Sequence, residues 1–138
     1  MAKRIDRIVV DTNLWISFLI SRDFKRLDER IRKGKVKLVF SVELIDEFLT
    51  VADRPKFRKY FGKTEVEQLI ELFDSYGEII RVNSKVDICR DRKDNFLLSL
   101  VRDSNADFLI TGDNDLLELK VFEGKRILKM SDYLKRSS

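Results

Sequence analysis

The chain contains no histidine. That absence removes Ser-His-Asp and Cys-His catalysis, imidazole acid–base chemistry and most zinc sites. Its one cysteine, Cys89, permits no internal disulfide and fits a reducing, cytoplasmic setting. It has one proline, no low-complexity stretch and no repeat, so no linker divides it and residues 1–138 are expected to form one domain. No apolar run approaches the length of a membrane span. The basic opening, MAKRIDRIVVDTN, is interrupted by Asp6 and Asp11, unlike a signal peptide. Any catalysis must therefore rest on carboxylates, lysines, tyrosines, hydroxyls or a metal held by oxygen. All-oxygen sites suit hard cations such as Mg2+ or Mn2+.

What is abundant is hydrophobic and charged: 43% and 38% of residues, with a net charge of +4. The charge is segregated. The stretch RPKFRKYFGK, Arg54 to Lys63, has five cations and no acid, whereas TEVEQLIELFDSYGEII, Thr64 to Ile80, has five acids and no cation. With Phe57, Tyr60 and Phe61 interleaved, Arg54, Lys56, Arg58 and Lys59 could track a nucleic-acid backbone, as could the basic stretch Arg22 to Lys37. The alternative is a pair of solvated helix faces.

Short β-branched runs alternate with helical periodicity. RIVV, VKLVF, EIIRV, ADFLITGD and KRILKM read as strands. TNLWISFLI, FKRLDERIRKG, SVELIDEFLTVAD and KDNFLLSLVRDSN read as helices. Ser41 is the expected N-cap of SVELIDEFLTVAD, Pro55 opens a short helix, and Thr64 is expected to cap a helix that Gly77 ends near Tyr76. Alternation of this kind implies crossover connections and a mainly parallel sheet covered on both faces. Ligands of such sheets sit beyond the strands' C-terminal ends, where the strand order reverses.

Carboxylates fall at that edge. Asp11 ends the first strand, Asp113 and Asp115 follow LIT, and Asp94 stands at the mouth of a helix with Asp91 just before it. Glu47 lies on SVELIDEFLTVAD, opposite the apolar Leu44, Ile45, Phe48, Val51 and Ala52. Each has an ordinary explanation: Asp11 and Asp94 as caps, Asp113 as a turn and capping residue beside Gly112, Glu47 as a solvated glutamate. Together they mean more. Two like charges about 4 Å apart repel by roughly 4 kcal/mol at an effective dielectric near 20. A cluster of three or four must raise some carboxylate pKa values or hold a cation, and Mg2+ or Mn2+ is the economical solution. Thr12, Asn13 and Thr111 add hydroxyl and amide groups suited to orienting water or phosphate oxygens, or to plain capping.

The successive stretches VVDTNLWIS, SVELIDEFLTVADRPKF and DRKDNFLLSLVRDSNADFLITGDNDLLEL resemble the signatures of PIN-domain nucleases, especially the small prokaryotic toxin components termed VapC-like. The resemblance spans nearly the whole chain, in order. It implies an α/β/α sandwich whose central sheet has about five strands in the order 3-2-1-4-5. Asp11, Glu47, Asp94 and Asp113 match the family's acidic quartet and Asp115 an accessory acid, whereas Asp91 matches no assigned role. The resemblance further implies Mg2+- or Mn2+-dependent cleavage of RNA to 5′-phosphate and 3′-hydroxyl ends, a small antitoxin protein as partner, and a homodimer. Trp15 and Phe18 could serve that dimer or the core.

Other classes fit less well. A phosphorylatable receiver wants an acidic pair after its first strand and an acceptor Asp after its third, but only Asp11 follows the first strand and EIIRVNSK has no acid in place. Haloacid-dehalogenase-type phosphatases need a second Asp where Asn13 stands. No glycine-rich turn follows the first strand, which disfavours dinucleotide binding. A non-catalytic RNA-binding or scaffold module remains the alternative, with its acids as relics.

Overall fold

A computed structural model describes residues 5–21, 25–60 and 62–136. Phe24 and Phe61, and the cationic Arg22, lie outside them. In chain order the elements are β1 (Asp6–Val10), α1 (Thr12–Ser21), α2 (Lys25–Arg32), β2 (Val36–Phe40), α3 (Val42–Ala52), α4 (Pro55–Arg58), α5 (Lys63–Tyr76) and β3 (Gly77–Ile79). There follow α6 (Arg92–Ser104), β4 (Phe108–Ile110), α7 (Asn114–Leu119), β5 (Val121–Phe122), β6 (Lys125–Leu128) and α8 (Met130–Arg136).

The strands form one sheet in the order β3-β2-β1-β4-β6-β5. Every pairing is parallel except β5 with β6, which is antiparallel. The parallel part reproduces the expected order, with β6 as its fifth strand. The two-residue β5 is an addition that periodicity could not reveal, because a hairpin of that length carries no alternation. The chain runs outward from β1 through β2 to β3, then returns to the opposite side of β1 as β4. The strand order thus reverses between β1 and β4, with Val10 in register with Ile110.

β1 and its neighbours are apolar on both faces, as strands covered on both sides must be. Ile8, Val9, Leu38, Leu109 and Ile110 are all at most 1% exposed. Trp15 is sealed among aromatics, its ring centroid 4.8 Å from that of Phe73 and 5.7 Å from that of Phe18. It is therefore a core residue, and only the half-buried Phe18 keeps partly exposed surface. At the N-terminal edge of the sheet, the Tyr133 hydroxyl of α8 donates to Asp6 Oδ2 at 2.9 Å. On the β3 side, Arg7 reaches across β2 to pair with Glu78 at 2.6 Å, and that hydrogen bond draws the Glu78 carboxyl below its ordinary range.

Two helix starts behave as expected. Ser41 caps α3, its hydroxyl accepting the Leu44 N–H at 3.0 Å, and Pro55 opens α4. The start of α5 differs: Gly62 is the N-cap, its N–H donating to the Glu65 carboxylate at 2.8 Å, and Thr64 lies inside the helix. Gly77 ends α5 in extended backbone, and a side chain there would strike the Phe73 carbonyl and stand 2.9 Å from the Phe40 ring.

Candidate functional site

The C-terminal ends of β1 and β4 open on a small cleft of about 50 Å³, lined among others by Asp11, Thr12, Asn13, Glu47, Asp91, Lys93, Asp94 and Asp113. Four acids expected from the sequence, Asp11, Glu47, Asp94 and Asp113, therefore share one cavity.

Asp11 is 9% exposed and spends both oxygens locally. Oδ2 accepts the Thr111 hydroxyl at 2.9 Å and Oδ1 accepts the Asn13 N–H at 3.2 Å. Thr111, wholly buried, also accepts the Asp113 N–H at 3.0 Å through the same hydroxyl oxygen. One side chain thereby pins the end of β1 to the turn after β4. Asp113 caps α7, its Oδ1 taking the N–H groups of Asp115 at 2.8 Å and Leu116 at 3.3 Å. Capping and site membership coexist in both aspartates, because the strand ends that open the cleft are also where helices begin.

Asp94 lies in the first turn of α6 rather than at its cap, which is Asp91, whose Oδ1 accepts the Lys93 N–H at 2.8 Å. Asp91 thus takes the cap that Asp94 could also have filled, and Asp94 turns inward. It is 4% exposed, and its Oδ2 is buried without a hydrogen-bond partner. Burial, and then the charges of Asp113, Asp91, Asp11 and Asp115, push its carboxyl up to about 6. Oxygens of Asp94, Asp113 and Asp115 lie within 4.8 Å of one another. The tightest trio thus includes Asp115, expected only as an accessory, while Asp11 stands beside it. Glu47 is offset by Lys93, whose Nζ is 3.5 Å away.

Of the supporting residues, Thr12 is buried with its hydroxyl lacking a partner, whereas Asn13 is exposed. Arg54, Lys56, Arg58 and Lys59 are exposed on or beside α4, Arg58 pairing with Asp53 at 3.2 Å, and none of the four lines the cleft. Lys93 and Asn95 went unremarked in the sequence: Lys93 reads there as one more surface cation, and Asn95 is hidden behind its acidic neighbour.

An all-oxygen donor set suits a hard divalent cation, and the unpartnered buried oxygens of Asp94 and Thr12 leave donors free for one. The residues present fit Mg2+ or Mn2+, with Asp94, Asp113 and Asp115 able to hold it and Asp11 close by.

The PIN-domain family model matches residues 7–115, a span that runs from β1 through every acid of the cleft. The chain belongs to the PIN-domain family, the nuclease class its motifs resemble. A relative of 32% identity over 117 residues is the uncharacterised protein MJ1680 of Methanocaldococcus jannaschii, the match covering 83% of this chain and 75% of that one. Two solved structures share the fold. VapBC2 from Rickettsia felis, crystallised bound to a DNA fragment from its promoter, aligns with a TM-score of 0.57 at 15% identity over 88% of this chain and 96% of that one. PAE2754 from Pyrobaculum aerophilum gives a TM-score of 0.57 at 13% identity over 96% of each chain. Among the described residues, no helix is long and apolar enough to cross a membrane.

Proposed function

We propose that this protein is a Mg2+- or Mn2+-dependent endoribonuclease and the toxin component of a type II toxin–antitoxin pair. The observation that carries the reading is Asp94: a buried carboxylate with an unpartnered oxygen, drawn together with Asp113 and Asp115 within 4.8 Å. Folding such a cluster is unfavourable unless a cation offsets it.

When bound, the cation would lower the pKa of a water and offset charge building on the phosphate. Asp94, Asp113 and Asp115 would hold it, with Asp11 and Glu47 completing the ligand set directly or through water. The chain's own groups then have distinct tasks. Thr111 holds Asp11 in one rotamer by donating to Oδ2. Lys93 pairs with Glu47 at the rim and offers a cation to a phosphate entering the cleft. Thr12 and Asn13 orient the scissile phosphate or the attacking water. Arg54, Lys56, Arg58 and Lys59 supply backbone contacts for RNA along α4. The cleft is small, which suits a single extruded phosphodiester of a flexible strand better than a rigid duplex. A small antitoxin that covers the cleft, and a homodimer, complete the reading.

The test is cleavage of single-stranded RNA in Mn2+ by the wild type and by Asp11→Asn. That substitution keeps the side chain's shape but removes its charge. The wild type is expected to cut and the variant to lose at least about a hundredfold in rate, in line with electrostatic stabilisation at a reacting centre. Equal rates would exclude Asp11 from the site, and RNA binding without cleavage in any divalent metal would favour a scaffold module.

A further inference from the structure

Residues 82–89 run alongside α6 in no regular secondary structure, and among the described residues their N–H groups bond to no neighbouring strand. Three side chains of α6 take that place. Asp103 accepts the N–H groups of Asn83 at 2.6 Å and Ser84 at 2.8 Å, and also the Ser84 hydroxyl. Ser99 accepts the Val86 N–H at 3.0 Å and donates to the Asn95 carbonyl at 2.9 Å. The Asn95 amide oxygen accepts the N–H groups of Ile88 at 3.0 Å and Cys89 at 2.8 Å, while its nitrogen donates to the Cys89 carbonyl at 2.9 Å.

The spacing has a geometric cause. Asn95, Ser99 and Asp103 recur every four residues, and four helical residues advance about 6 Å. Their partners Ile88, Val86 and Ser84 recur every two, and two extended residues advance about 6.6 Å. The helix therefore presents a polar stripe in step with an antiparallel extended chain, which makes a ladder from side chains. Its final rung differs from the others, since Asn95 grips both donor and acceptor of one peptide segment. That rung adjoins Asp94 in sequence, and the chain it grips leads directly to Asp91, at the mouth of the cleft.

We infer that Asn95 is a positioning residue of the acidic cleft: by clasping Ile88 and Cys89 it fixes where the 89–91 turn delivers Asp91 and holds the first turn of α6 so that Asp94 points inward. Asp103, at the far end, anchors the same segment without governing the cleft. The inference rests on the metal-site reading but has a readout of its own, the half-buried Cys89 thiol.

The experiment compares Asn95→Ala, Asn95→Asp and Asp103→Ala with the wild type, following Mn2+ binding by calorimetry and labelling of Cys89 by a small thiol reagent. Asn95→Ala is expected to weaken Mn2+ by about tenfold or more, as loss of a residue supporting a ligand does, and to speed labelling. Asn95→Asp preserves size and the accepting oxygens but loses the donor to Cys89. Added charge alone would tighten Mn2+, so weaker binding supports the clasp and tighter binding overturns it. Asp103→Ala should melt earlier yet hold Mn2+ within about twofold of the wild type. Wild-type affinity in Asn95→Ala, or equal weakening in Asp103→Ala, overturns the inference. If the wild type binds no Mn2+, the metal reading fails by itself. Labelling then decides: faster in Asn95→Ala alone supports the clasp, and equal rates in both variants reject it.

Discussion

Asp94 is a residue the fold holds at a cost. Its carboxyl is raised from 3.8 to about 6, first by burial and then by four neighbouring aspartates. The folded state therefore binds this proton more tightly than the unfolded chain does. The resulting stability is fully present below the unfolded pKa and is lost as pH rises through about 6. At pH 7.5 without metal, the ionised form weighs against folding by up to about 3 kcal/mol. Metal-free Asp94→Asn should consequently melt above the wild type at pH 7.5, with the gap closing as the pH approaches 4. A metal-free wild type that melts at or above the variant at pH 7.5 would mean the site is not strained. The pattern belongs to groups retained for what they bind rather than for stability.

At the scale of elements, helix ends decide both the fold and the site. Gly77 shows how little room the α5–β3 junction leaves: a methyl group would meet the Phe73 carbonyl and the Phe40 ring. Its φ of −102° is open to any residue, so the constraint is steric. Gly77→Ala is expected to destabilise by about 1–3 kcal/mol, as overpacking does, measured by chemical denaturation. A neutral substitution would mean that β3 can shift away from α5. The same ends mark what the sequence could disclose. β1 and β2 were readable as short β-branched runs, and α3 and α6 as helical periods that begin beside a capping residue. The start of α5 was not, since Thr64 is a good cap in isolation while Glu65 reaches back to Gly62. α7 was not legible, because NDLLEL is too short for a helical period to emerge. The capping role of Asp91 was not legible for a related reason: two aspartates three residues apart both suit a cap, and only packing decides which one turns inward. Asn95, Ser99 and Asp103 form a spaced polar stripe that is visible in the sequence, but its partner segment has no pattern of its own.

For the whole molecule, the parallel sheet separates tasks between its two edges. At the N-terminal edge, α8 closes the core through Tyr133 and Asp6. At the C-terminal edge, the reversal between β1 and β4 leaves a cleft flanked by α3 and α6, and acids distant in sequence meet there. That meeting was legible as soon as strands and crossovers were assigned, because the sheet order fixes which strand ends are neighbours. Which acids come closest was not: Asp115 joins Asp94 and Asp113 through the turn of α7, while Asp11 is held beside them by Thr111. The chain is basic overall, so its acidic cleft is a local exception that the rest of the surface does not impose. The most direct measurement is thermal melting at pH 7.5 with and without Mn2+, on the wild type and Asp94→Asn. At a hundred times its dissociation constant a bound ion adds about 2.7 kcal/mol, so the wild type should gain about 5–10 °C and the variant little or nothing. A wild type whose melting temperature ignores Mn2+, or a variant that gains as much, would contradict a cation site built on Asp94.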